Sequence, residues 1–156
     1  MNYFLTEKFT SAPKQMAKPE YLTEIFELDS NESIGTCELP QYNAMLYFAE
    51  TAAKQTPLIY VLLEQLGKIK EHNKLAVSYS KEKERVYITA AQGDMLLLAN
   101  SYKVTDFTTA FYYISLVTQQ AMFNPHLTQI NVLGELAKYE KILLNTYYKG
   151  IEYCQL

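Results

Sequence analysis

A chain of 156 residues, 49% hydrophobic and 20% charged, can bury a core of its own without disulfides or metals, and its composition argues against global disorder. The net charge is −3 and Arg85 is the sole arginine, which disfavours a nucleic-acid binder, since that class needs a basic stripe for phosphates and base edges.

The first 55 residues are weakly patterned. "PEYLTEIFEL" (19–28) opens with a proline suited to a first helical turn and carries Leu22, Ile25 and Phe26, so a short helix is expected. "SNES" reads as a turn, and "IGTCEL" as an extended segment ending at Pro40. "NAMLYFA" (43–49) is a continuous apolar run of strand length and is expected to be a buried strand. In "TPLIYVLLEQLGKIK" (56–70), Thr56 is the expected cap and Pro57 the first helical residue. Leu58, Val61, Leu62, Gln65, Leu66 and Ile69 then follow at helical spacing.

The period then changes. "KLAVSYS" (74–80) alternates Leu75, Val77 and Tyr79 against Ala76, Ser78 and Ser80, and "RVYITAA" (85–91) alternates Val86, Ile88 and Ala90 against Arg85, Tyr87 and Thr89. Gly93-Asp94 supplies a tight hairpin turn. "MLLLANSYKV" (95–104) is apolar on both faces near its start, which predicts a central strand. "TDFTTAFYYISLVTQQAMF" (105–123) predicts a helix capped by Thr105, with Phe107, Ala110, Phe111, Ile114, Val117 and Ala121 as its buried stripe, ended by Asn124-Pro125. "QINVL" (129–133) is a short strand, Gly134 a turn, and "ELAKYEKILLNTYY" (135–148) an amphipathic helix. Gly150 falls just past the end of that helix, and "IEYC" (151–154) is a last strand.

From residue 74 the order is β-β-β-α-β-α-β. Three strands joined by short turns run antiparallel, and the two helical crossovers add parallel strands. The expected fold class is therefore α/β with a mixed sheet, of the RNase H-like or actin-like ATPase kind, preceded by a partial first half. Residues 1–55 form the partial first actin-like subdomain or an N-terminal extension, and 56–156 the RNase H-like domain.

The chemistry usual in such folds is hard to place here. A nuclease of this kind holds divalent metal with carboxylates, one of them in the first strand, and Lys74 to Ser80 has none. Asp106 and Glu135 remain, without the central acid, and Asp106 reads as a first-turn acid complementing the helix dipole. No metal site and no catalytic residue is assigned. A phosphate-embracing hairpin needs glycine and free backbone N–H groups at its tip. Here the tip is Ser80-Lys81-Glu82-Lys83-Glu84, an ordinary solvated turn. Lys81 and Lys83 as phosphate contacts, with Gly134 for close approach of ribose or base, are the only candidates for a nucleotide site, and no cofactor is expected unless ATP and magnesium bind there. His72 and His126 lack a ligand partner at helical spacing, and no nucleophile elbow or Walker loop is present.

Cys37 and Cys154 are expected to be plain thiols. No apolar run reaches the roughly 18 residues of a membrane span. "MNYFLTEKFTSAPKQ" lacks the features of a secretory signal, so the cytoplasm is the expected location. With 14 tyrosines and no tryptophan, the chain suits wet boundaries and contact surfaces, Tyr79, Tyr87, Tyr112, Tyr113, Tyr147 and Tyr148 among them.

The stretch "VYITAAQGDMLLLANSYKVTDFTTAFYYI" followed by "LTQINVLGE" resembles a family of uncharacterised bacterial proteins, a domain of unknown function with an actin-like ATPase fold. The hairpin feeding "LLLANSY", the "DF…YY" helix start and the strand ending in glycine carry the likeness. "TPLIYVLLEQL" is similar to the family's helix before the hairpin, and "YNAMLYFA" to its buried strand. The resemblance covers about residues 20 to 156 and implies a longer parent with an N-terminal region of strands, absent here, and a longer connection than the one from Ala49 to Thr56. On that view the chain is a fragment of a two-domain protein or has missing segments. The resemblance transfers no catalytic residues. Fold-level analogy with degenerate actin-like domains that serve as docking platforms leads to a scaffold or protein-interaction module, with a protein partner or self-association through the tyrosine-rich surface or an exposed strand edge. A divergent nucleotide-binding ATPase or sugar-kinase relative is the alternative.

Overall fold

Alternation of large apolar with small or polar residues from Leu75 to Ala91 builds the middle of a five-stranded sheet, and the continuous apolar run near Leu46 builds the middle of a three-stranded one. The computed structural model describes residues 3–51 and 55–156. The chain divides into two units, Met1–Val61 and Leu62–Leu156. The short connection expected from Ala49 to Thr56 falls in part on residues 52–54, outside the described residues.

The first unit contains β1 (Tyr3–Phe4), β2 (Phe9–Pro13), α1 (Glu20–Ile25), β3 (Ser33–Leu39), β4 (Ala44–Glu50) and β5 (Thr56–Pro57). The helix at 19–28 and the strands expected at "IGTCEL" and "NAMLYFA" are present, whereas β1 and β2 have no counterpart in the sequence reading. Strand β4 lies between β2 and β3, antiparallel to both. That central position requires a run apolar on both faces, and Leu46, Tyr47, Phe48 and Ala49 are all buried. Leu22 of α1 is fully buried, and the helix packs on β2 and β4. The Lys8 ammonium donates to Glu32 Oε1 at 2.7 Å, and the same carboxylate oxygen accepts the Asp29 amide at 2.8 Å, tying the loop before β2 to the loop before β3.

Thr56 and Pro57 do not begin the following helix. They pair in parallel with Tyr3 and Phe4, and α2 (Leu58–Lys68) starts one residue later. The residue before a proline is pushed toward extended backbone, so Thr56 suits a strand better than a helical turn. The boundary between the two units falls inside α2, between Val61 and Leu62.

Gly35 sits opposite Phe48, the residue that faces Phe9 on the other side of β4. The Phe48 ring lies across this glycine and 6.1 Å from the Phe4 ring. A Cβ on Gly35 would lie 2.6 Å from Phe48 Cζ and closer still to its Cε2, with Glu50 Cδ at 2.9 Å. Gly35→Val is therefore expected to destabilise the fold by about 1–3 kcal/mol through overpacking. Urea unfolding of G35V, F48L and the double variant checks this: the two changes should be markedly non-additive, with F48L absorbing part of the cost.

The second unit runs β6 (Asn73–Ser80), β7 (Arg85–Gln92), β8 (Met95–Lys103), α3 (Phe107–Gln120), β9 (Gln129–Leu133), α4 (Lys138–Tyr147) and β10 (Gly150–Cys154), the expected β-β-β-α-β-α-β order. The sheet order is β10-β9-β6-β7-β8. The first three strands are mutually antiparallel, β9 is parallel to β6, and β10 is parallel to β9. One face presents Leu75, Val77, Val86, Ile88, Ala90, Ile130 and Val132 to a core completed by Phe107, Ala110, Ile114 and Val117 of α3 and by Leu144 and Tyr148 of α4. Phe111 and Ala121 pack against it only partly buried, and Thr118 takes a fully buried place on α3.

Two expectations in this unit are corrected. Strand β8 is an edge strand, not a central one. Its apolar start reflects a bulge: Leu98 is opposite Ala90 and Leu96 opposite Ala91, which leaves Leu97 as an extra residue. Met95 and Leu97 are accordingly 62% and 40% exposed. The cap of α3 is Asp106 rather than Thr105. Its Oδ1 accepts the Thr109 amide and the Thr109 hydroxyl, each at 2.8 Å, a geometry that a carboxylate one residue before the helix reaches and Thr105 does not.

Candidate functional site

Strands β6 and β9 are parallel neighbours from which the chain departs in opposite directions, β6 toward β7 and β8, β9 toward β10. In open α/β sheets this switch point, outside the carboxyl ends of the strands, is where ligands bind. Val77 pairs with Val132, so Ser78 is level with Leu133. Ser80 pairs with Arg85, and Arg85 with Lys103. The hairpin tip at 81–84, Gly134 and the starts of α3 and α4 thus share one end of the sheet, and with them Lys81, Lys83 and Gly134.

The backbone donors at this end are largely committed. At the tip, the Glu84 amide donates to Lys81 O at 3.3 Å and the Lys83 amide to Ser80 Oγ at 3.2 Å, while Glu84 O accepts the Val104 amide at 2.9 Å. The Lys81 and Lys83 side chains are exposed. Glu84 holds φ +52, the left-handed region that glycine tolerates best. The Gly134 amide donates to Cys154 O at 2.9 Å. Gly134 has φ +98, and a Cβ there would meet nothing nearer than Leu156 Cδ1 at 3.5 Å, so backbone conformation rather than close approach of another group calls for glycine. The Ser78 hydroxyl donates to Leu133 O at 2.9 Å.

The acidic groups nearby are also in use. The two bonds from Thr109, backbone first and hydroxyl second, hold the Asp106 carboxyl below its ordinary range. Glu140 is buried, and its Oε1 accepts the Ala137 amide at 2.7 Å. This is one half of a capping box, since alanine has no side-chain acceptor for the other. Tyr79 packs edge-on against Phe107 with ring centroids 5.3 Å apart. Burial raises its pKa, and Glu140, Tyr139, Asp106 and Glu84 raise it further. Among the described residues no group of three or more His, Cys, Asp or Glu side chains is placed to hold a metal ion. Cys37 and Cys154 are free thiols.

A feature the sequence reading passed over lies at the opposite end of β9. Lys68, Ile69, Lys70, Glu71, Gln129, Asn131 and Glu152 line a groove of about 250 Å³. The signal was the polar alternation of Gln129 and Asn131 in "QINVL", where Gln129 Nε2 donates to Asn131 Oδ1 at 3.1 Å. The tyrosines divide as a boundary residue should: Tyr87 and Tyr148 are buried, whereas Tyr112, Tyr139 and Tyr147 are more than half exposed.

The chain has an actin-like ATPase fold. A crystal structure from Bacteroides thetaiotaomicron, of a protein with actin-like ATPase fold and unknown function, superposes with a TM-score of 0.75 at 19% identity. The match covers 97% of this chain and 66% of that one, so the chain spans just under two thirds of that protein's length. The chain matches, over residues 3–151, the family described as "Protein of unknown function (DUF3822)", and it belongs to that family. No curated protein matches it. No helix among the described residues is long and apolar enough to cross a membrane.

Two measurements check the local geometry. Glu84→Gly relieves a left-handed backbone at the tip and is expected to stabilise the protein by roughly 0.5–1 kcal/mol, visible as a raised Tm. Asp106→Ala removes the cap of α3 and lowers the Tm, with Asp106→Asn intermediate. Because the Asp106 pKa is depressed in the folded state, its contribution is present above the ordinary value of 3.8 and is lost as pH falls through the lower folded value. Melts of wild type and D106A should therefore differ at pH 6, and the difference should shrink as pH falls below 3.8.

Proposed function

We propose that this chain is a catalytically degenerate actin-like domain that works as a cytoplasmic protein-interaction or scaffold module. The observation that carries the reading is the commitment of backbone amides at the carboxyl end of the five-stranded sheet. A hairpin that embraces phosphate keeps its N–H groups free, and here those of Lys83 and Glu84 are used within the turn, and that of Gly134 within the sheet. Exposed Tyr112, Tyr139 and Tyr147 offer large amphipathic contact area of the kind protein interfaces use.

Calorimetric titration with Mg-ATP, and with Mg-ADP for comparison, tests the reading. The expected result is no saturable heat up to about 1 mM ligand, which bounds binding at less than ~4 kcal/mol. Saturable binding at micromolar levels that weakens in Lys81→Ala or Lys83→Ala overturns it in favour of a divergent nucleotide-binding enzyme.

A further inference from the structure

Strand β8 is nine residues long, lies at the rim of the five-stranded sheet, and has no strand on its outer side among the described residues. Natural edge strands are blunted by proline, by charged side chains, by shortness or by bulges, and of these devices β8 has the bulge at Leu97. Between Met95 and Tyr102 this one has no proline and no charge. Its exposed side chains include Met95 and Leu97. Beside it runs a rigid aromatic flank: Tyr102 stacks on Tyr113 at 4.5 Å and 11°, and Tyr113 meets the exposed Tyr112 edge-on at 5.4 Å.

The strand is also self-complementary. Asp94 stands exposed just before it and Lys103 exposed at its end, and neither has a partner among the described residues. A parallel copy sets like charge against like. An antiparallel copy related by a two-fold axis through Ala99 does the reverse. Leu98 of one copy then faces Asn100 of the other. The bulge sets Leu97 aside, so Leu96 faces Ser101, Met95 faces Tyr102, and Asp94 faces Lys103. Without the extra residue the two charges miss each other by one place and the faces fall out of step. In this register the exposed Met95 covers an aromatic ring and both unpaired charges find partners.

We propose that β8 is a homodimerisation edge, pairing antiparallel with β8 of a second copy of this chain into a continuous ten-stranded sheet with Asp94–Lys103 contacts at both ends. This rests on the interaction-module reading and names its partner.

Sedimentation velocity from roughly 1 to 200 µM tests it. The wild type should show concentration-dependent dimer. Leu97→Lys places a charge on the edge and should abolish the dimer. Lys103→Glu and Asp94→Lys should each weaken it by about tenfold or more, and the double swap should return it to within about threefold of wild type. Circular dichroism melts confirm that each variant is folded. A wild type that stays monomeric throughout, a dimer indifferent to Leu97→Lys, or a double swap that fails to rescue overturns the proposal. The Mg-ATP titration decides the interaction-module reading separately, since it is blind to the dimer.

Discussion

The second unit is organised by the position of β6, which has a strand on each side and both faces buried. The buried polar side chains of this strand, Lys74 and Ser78, each find an internal acceptor. The Lys74 ammonium donates to Ile69 O at 3.2 Å, and Ser78 donates to Leu133 O. On the neighbouring strand Thr89 returns a bond to Ala76 O at 2.8 Å. On the other face, Leu75 and Val77 belong to the apolar core. The division of labour between the faces follows: dispersion and burial on one, small side chains and short hydrogen bonds on the other.

The same economy shapes the carboxyl end of the sheet. A hairpin tip that embraces phosphate keeps its amides free for it. Here a four-residue charged tip closes on itself, and Gly134 closes on the last strand. Each bond satisfies a donor that a ligand otherwise satisfies, so local stability and phosphate binding compete for the same N–H groups. Asp106 and Glu140 show the competition on the acceptor side, each serving as the terminal cap of a helix rather than as a free carboxylate.

The order of elements from residue 74 onward was readable because period-2 and period-3.6 patterns alternate there without interruption, and each turn carries its own signal, such as the Gly93 φ of +58. What escaped has identifiable physical causes. Strands β1 and β5 are two residues each, too short to show a period, and exist through their pairing with one another. The cap of α3 was displaced by one residue because Thr105 and Asp106 are both acceptable cap residues, and only the bonds to Thr109 decide between them. At the candidate site the missing glycine at the tip was visible in the sequence. The use of the Gly134 amide by Cys154 was not, because it depends on a strand fifteen or more residues further on.

The misplacement of β8 is the more instructive error. Four successive apolar residues, Met95 to Leu98, look like a strand packed on both faces, and in a regular strand they are. A bulge changes the meaning of the same letters. By inserting Leu97 it turns the local alternation over, so that apolar side chains appear in both phases while the outer side of the strand still faces solvent. Leu98 of this run packs on the core, whereas Met95 and Leu97 are left exposed. That exposed surface is what the proposed β8 pairing covers, in a register that sets Asp94 against Lys103.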